Sequence, residues 1–169
     1  MSDHPDEPAR PLFFPVSILK LTLLSVSTFG LYELYWIYKN WSFVKERENL
    51  SILPFWRAFF AYLFCYSLFK RIAGSCTEAG IERRLVPGPL AVVWIALWLG
   101  GVYLPNPFRL ASYLSFVPLL LVQAAVNALN QKVAQDHDPN NRFTRINFVW
   151  LIVAGLFSIL IIFGALLPE

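Results

Sequence analysis

Apolar residues in this chain gather into long blocks separated by short charged or proline-containing stretches. Three blocks are uncharged throughout: 85–104, 110–131 and 146–168. A helix crossing the hydrocarbon core of a bilayer needs about 20 such residues with its backbone hydrogen bonds closed internally, so each block predicts a membrane-inserted helix. "PNP" at 105–107 breaks the chain between the first two, and Pro118 is a candidate kink in the second.

Two further blocks, 16–38 and 54–73, carry charges closer to their centres. Their uncharged cores cover only residues 21–32, between Lys20 and Glu33, and 58–69, between Arg57 and Lys70. A helix of that core length rises about 18 Å, against a hydrocarbon thickness of about 30 Å. Each helix either spans with its charged side chains snorkelling to opposite interfaces, or dips in and returns. Phe60, Phe64 and Leu68 share the angular face of Arg57 and Arg71, so the second is no flat amphipathic helix. It is expected to be inserted and packed on the first as a hairpin whose crossing stays open. The expected fold class is an all-α integral membrane protein: five membrane-inserted helices (16–38, 54–73, 85–104, 110–131, 146–168) forming one domain, residues 16–169, behind a short tail, residues 1–15.

Composition agrees, with 57% hydrophobic and 15% charged residues against roughly 45–50% and 25% in soluble domains. A chain this short could not bury so much apolar surface in water. The acidic, proline-rich start "MSDHPDEPARP" lacks the features of a cleaved signal, so the first block is expected to be retained. Lys70, Arg71, Arg83 and Arg84, and then Lys132, Arg142 and Arg145, crowd two loops, whereas only Arg109 lies between the third and fourth blocks. The positive-inside rule therefore places 70–84 and 132–145 in the cytoplasm and the C-terminus outside an inner membrane. Lys39, Lys45 and Arg47 make the stretch before the second block basic too, which a complete crossing would forbid. The small net charge of +3 gives no reason to expect nucleic acid as a partner.

Candidate chemistry is sparse. Gly30 interrupts a helical run, where it permits a kink or close contact. Glu33, near the membrane boundary, is a functional candidate by its depth, with Arg57 across the aromatic turn as the expected partner. The bland alternative is that Glu33 lies shallow enough to reach water. Trp36, Tyr38, Trp41 and Trp56 read as an interfacial belt. In the fourth block Gln123, Asn127, Asn130 and Gln131 follow at helical spacing, a polar seam that must face other helices or a watery cavity. Cys65 and Cys76 have no metal or redox spacing and read as packing residues. "DHDPNN" at 136–141 alternates like a calcium loop, but Asn141 and Asn147 stand where that loop needs glycine and glutamate. No metal, cofactor or catalytic constellation is expected.

The string Gly30-Leu31-Tyr32-x-x-Tyr35-Trp36-x-Tyr38-Lys39 resembles the signature of a bacterial domain-of-unknown-function family of small multi-pass inner-membrane proteins. "PFWRAFF" (54–60) and "QAAVNALNQ" (123–131) resemble its relatives more weakly. The resemblance implies location and architecture and carries no activity. Expected partners are the lipid bilayer and a second copy or another membrane protein. The expected function is a non-enzymatic scaffold or partner subunit acting through helix contacts, with a small oligomeric transporter or channel component as the alternative.

Overall fold

A computed structural model of the chain describes residues 10–82 and 85–166. Arg83, Arg84, Pro168 and the C-terminal residue, on which part of the topology reading rests, lie outside the described residues, as do residues 1–9. The described residues are all-α: α1 (Ile18–Ser27), α2 (Leu31–Glu48), α3 (Pro54–Phe59), α4 (Ala61–Glu78), α5 (Pro87–Tyr103), a 3-10 segment (Phe108–Leu114), α6 (Phe116–Val133) and α7 (Arg145–Leu166). Among them only the stretch Phe108–Val133 is both long and apolar enough to cross a bilayer as a single helix. Ile18–Ser27, Pro87–Tyr103 and Arg145–Leu160 are apolar but shorter. The first two of the five expected blocks, 16–38 and 54–73, are each split into two helices.

The first split lies at Thr28–Gly30. Phe29 and Gly30 both adopt left-handed backbone angles, φ 54° and 83°. The Gly30 N–H donates back to the Ser25 carbonyl at 3.0 Å, the long closing bond of a helix C-terminus. Glycine accepts such an angle without the Cβ clash that other residues meet. Thr28 joins the two helices: its hydroxyl donates to the Leu24 carbonyl (2.6 Å) and accepts from the Tyr32 N–H (3.0 Å).

Beyond this turn the chain reverses. At the start of α1, Lys20 reaches the loop after α6, donating to Asn140 Oδ1 and the Arg142 carbonyl. At its end, the Ser27 carbonyl accepts from Ser158 of α7, and Phe29 packs edge-on against Tyr113 just before α6. Glu33 meets Ser115 there, after which Trp36 bonds Gln123 and Arg47 reaches Leu12. So α1 runs against α6 and α2 returns alongside it, leaving both ends of the pair at the end of the bundle that holds the end of α4 and the 134–144 connection. Measured on α7, the tip lies at Ser158, 13 residues and about 20 Å from Arg145.

The second split is at Phe60, whose ψ of 43° leaves the helical region. Pro54 opens α3 at the first-turn position expected of it. The pair α3–α4 stays in the same half of the bundle: Arg57 covers Trp41, Phe69 packs on Trp36, Arg71 pairs with Glu48, and the Cys76 thiol approaches the Ala125 carbonyl. Both cysteines are buried free thiols.

The fourth block changes from 3-10 to α geometry around Ser115, three residues ahead of Pro118. A proline there has no N–H for the Leu114 carbonyl and its ring crowds that carbonyl, which disfavours regular α geometry through this point. Against this segment α5 packs tightly: a Cβ on Gly101 would lie 2.7 Å from Ser112 Oγ.

Large side chains fill the centre, with Phe13, Trp36, Trp41, Phe69, Ile72 and Trp94 fully buried. Polar Glu33, Asn40, Gln123 and Asn130 are buried beside them, while α7 exposes Ile146, Phe148, Trp150, Leu156, Phe157 and Leu160. An exterior this rich in large apolar side chains is unusual for a protein bathed in water.

Candidate functional site

The polar seam of α6 grips the chain's own N-terminal strap, residues 12–16, which has no regular secondary structure. Buried backbone outside a helix has no ladder to satisfy it, so each N–H and C=O needs another partner. Side-chain amides supply them. Asn130 accepts from the Leu12 and Phe13 N–H groups (3.0 and 3.3 Å) and donates to the Phe13 carbonyl (2.8 Å). Asn40 of α2 accepts from the Phe14 N–H, and Gln123 donates to the Phe14 carbonyl. Asn140 donates to the Pro15 carbonyl and Asn127 to the Val16 carbonyl, both at 3.0 Å. Pro15 has no N–H to satisfy, and Arg47 donates to the Leu12 carbonyl at 2.8 Å. The amides are themselves ordered: Gln123 accepts from Trp36 Nε1 (2.5 Å) and donates to Asn127 (2.7 Å), and Asn40 donates to the Trp36 carbonyl.

Gln123, Asn127 and Asn130 thus lie on one face, as their spacing predicts, whereas Gln131, one turn beyond Asn127, is exposed. Asn40 and the strap do not stand out in the sequence, and Asn140 stands out there only as part of a calcium-like turn. The available signal was "LFFPV" at 12–16, an apolar stretch kept out of a helix by its proline, whose backbone would need donors and acceptors once buried. These residues belong to the packed body and not to a tail: Phe13 through Val16 are buried. Asn140, in the stretch weighed as a calcium loop, instead takes its N–H to Asp138 in a simple turn. Among the described residues, no three His, Cys, Asp or Glu side chains come together to hold a metal.

Glu33 occupies the second polar site, 1% exposed, in the first turn of α2. Its carboxylate accepts from Trp94 Nε1 at 2.6 Å and from Ser115 Oγ at 2.7 Å. The positive end of the α2 dipole adds to these neutral donors. Gly30 borders the site, with Glu33 Oε1 3.6 Å from where its Cβ would stand.

The expected Glu33–Arg57 pair does not form. The turn at Gly30 puts Glu33 at the hairpin tip, while Arg57 lies on α3 with its guanidinium 4.1 Å from the centre of the Trp41 ring and 5.2 Å from that of Phe64. The interfacial belt is also corrected. Trp36 and Trp41 are fully buried, the first by its bond to Gln123 and the second beneath Arg57. Tyr38 and Trp56 remain exposed.

At the end where both hairpins meet the loops, Arg47 and Arg71 both donate to Glu48, beside a cavity of about 600 Å³ that Leu12 and Glu78 also line. Burial alone would push the Glu48 carboxyl up, but the hydrogen bonds and charges of the two arginines together hold it below its ordinary value.

Fold and site together define an all-α protein with an apolar exterior, whose internal polar groups bind a strap of the same chain. No family model, curated protein or solved structure matches it.

Proposed function

We propose that this chain is a multi-pass inner-membrane protein, a non-enzymatic scaffold or partner subunit that acts through helix contacts. The observation that carries this reading is the occupation of its intramembrane polar groups. A transport path would line itself with Glu33 and the α6 seam, yet Glu33 is held by Trp94 and Ser115 and the seam by residues 12–16. The exposed apolar side chains of α7 offer a long surface to acyl chains or to another helix. The resemblance of residues 30–39 to a family of small inner-membrane proteins supports the same location.

In this reading the loops 70–84 and 132–145 face the cytoplasm and the C-terminus faces outward. The α1–α2 hairpin enters from the cytoplasmic side and returns to it, which agrees with the basic residues Lys39, Lys45 and Arg47 at its far end. Five inserted segments are retained, the first two re-entrant.

Two measurements test the function. Purified protein in liposomes should leave ion and small-solute flux at the level of empty vesicles, and tagged protein drawn from native membranes should bring a defined membrane-protein partner or a second copy. Flux above background that Glu33→Gln abolishes would replace this reading with a transporter component.

A further inference from the structure

We infer that the chain is a wedge that favours bilayers curved toward its loop-bearing end; the inference rests on the membrane reading above. Its basis is the unequal width of the two halves of the bundle. The α1–α2 pair enters beside α6 and turns at Thr28–Gly30, level with Ser115 and with Ser158 of α7. The α3–α4 pair touches α2 at Trp36, Trp41 and Glu48 and α6 at Ala125, all on the loop side of that level. Past the tip, the described helical elements are the end of α5, the 3-10 segment leading into α6 and the end of α7.

One half therefore carries the four helices α1–α4 in addition to those shared with the other, each about 10 Å across. The outer face of the added pair is apolar: Phe55, Trp56, Phe59, Tyr62, Leu63 and Tyr66 are exposed and their rings run in contact from Phe55 to Tyr62. Of its charges, Arg57 and Arg71 lie against Trp41 and Glu48, while Lys70 and Glu78 are exposed farther along α4. The apolar face at its start sits among the acyl chains of one leaflet. Volume added to one leaflet alone is relieved when that leaflet lies on the convex side, as with shallow amphipathic insertions that bind curved membranes best. The partner is thus a lipid surface of defined shape.

The test uses full-length protein with single added cysteines at Asn49, Glu78 or Asn106, all exposed, and the buried native thiols as the blank. In intact cells an impermeant maleimide should label Asn106→Cys and neither Asn49→Cys nor Glu78→Cys. Labelling of only one of the latter two would remove the re-entrant topology, and the wedge with it. With the topology upheld, the protein is reconstituted into vesicles of about 30 nm and about 200 nm radius, and externally labelled Asn49→Cys is counted per lipid. Density should be at least about threefold higher on the small vesicles, with the opposite trend for externally labelled Asn106→Cys. Equal densities in both orientations would overturn the wedge and leave the scaffold reading standing.

Discussion

Replacing Asn130 with leucine removes the amide that makes the most hydrogen bonds to the strap while nearly keeping its volume. Three strap groups lose their partner at once: the N–H groups of Leu12 and Phe13 and the Phe13 carbonyl. Hydrogen bonds between membrane helices average about 0.6 kcal/mol and reach about 1.7, so three lost together cost about 2–5 kcal/mol. The strap has an alternative, since Leu12 lies beside the open cavity near Arg47. By leaving the groove it hydrates its backbone but exposes Phe13, now fully buried, at about 1.5–3 kcal/mol. The two routes cost similar amounts, so Asn130→Leu should both lower stability by a few kcal/mol and release the strap. Reversible unfolding in mixed micelles reads the first, and hydrogen exchange at the Phe13 and Phe14 amides reads the second. Asn130→Asp, which keeps the acceptor and loses the donor, should fall between leucine and wild type. Unchanged exchange at both amides in Asn130→Leu would refute the claim that this side chain holds the strap.

At Glu33, glutamine can present its oxygen to Trp94 and its amide to Ser115, whereas leucine strands both donors at about 1–3 kcal/mol each; equal melting temperatures for the two variants would contradict the site. Glu33→Gln and Arg57→Gln should lose folded yield additively in the double variant, because the two side chains have separate partners, and a cycle showing coupling would restore the pair. Gly30→Ala should cost roughly 1–2 kcal/mol through its left-handed angle, with Gly30→Asn costing less, a ranking that thermal melts in detergent can reverse. Because Glu48 is held below its ordinary value, its pair with Arg71 contributes fully above the usual carboxylate range and is lost as the pH falls through the lowered value. For a pair this exposed the effect stays within about 1 kcal/mol, and Glu48→Gln should remove that part of the acid dependence; an unaltered acid limb would dismiss it.

Helix content was legible because long apolar blocks permit little else, and the one-sided seam of α6 followed from residue spacing alone. The breaks were harder to read. Gly30 showed as a place of weakness, but nothing local distinguishes a kink from a full reversal: that depends on Ser115 and Ser158 waiting at the far end of the hairpin. Glu33 was given the wrong partner, because charge complementarity suggested arginine while packing supplied an indole N–H and a serine hydroxyl. Trp36 and Trp41 look interfacial by type, yet one has a buried amide for its N–H and the other a guanidinium on its ring. The strap escaped because amide-to-backbone bonds carry no pattern in either partner's sequence.

The groove has a consequence for biosynthesis. Residues 12 and 13 leave the ribosome more than a hundred residues before Asn130, which sits 118 and 117 positions later. At roughly 5–20 residues per second the strap waits about 6–24 s for its partner. Glu33 waits in the same way for Ser115, 82 positions on. During that interval the α1–α2 hairpin holds a carboxylate without the Trp94 and Ser115 donors, and its apolar strap has only Asn40 and Arg47 for its backbone. On the membrane reading proposed above, the first third of this chain needs shelter until α6 is made, and a slow codon run ahead of α6 should expose nascent chains to proteolysis far more than one placed after it.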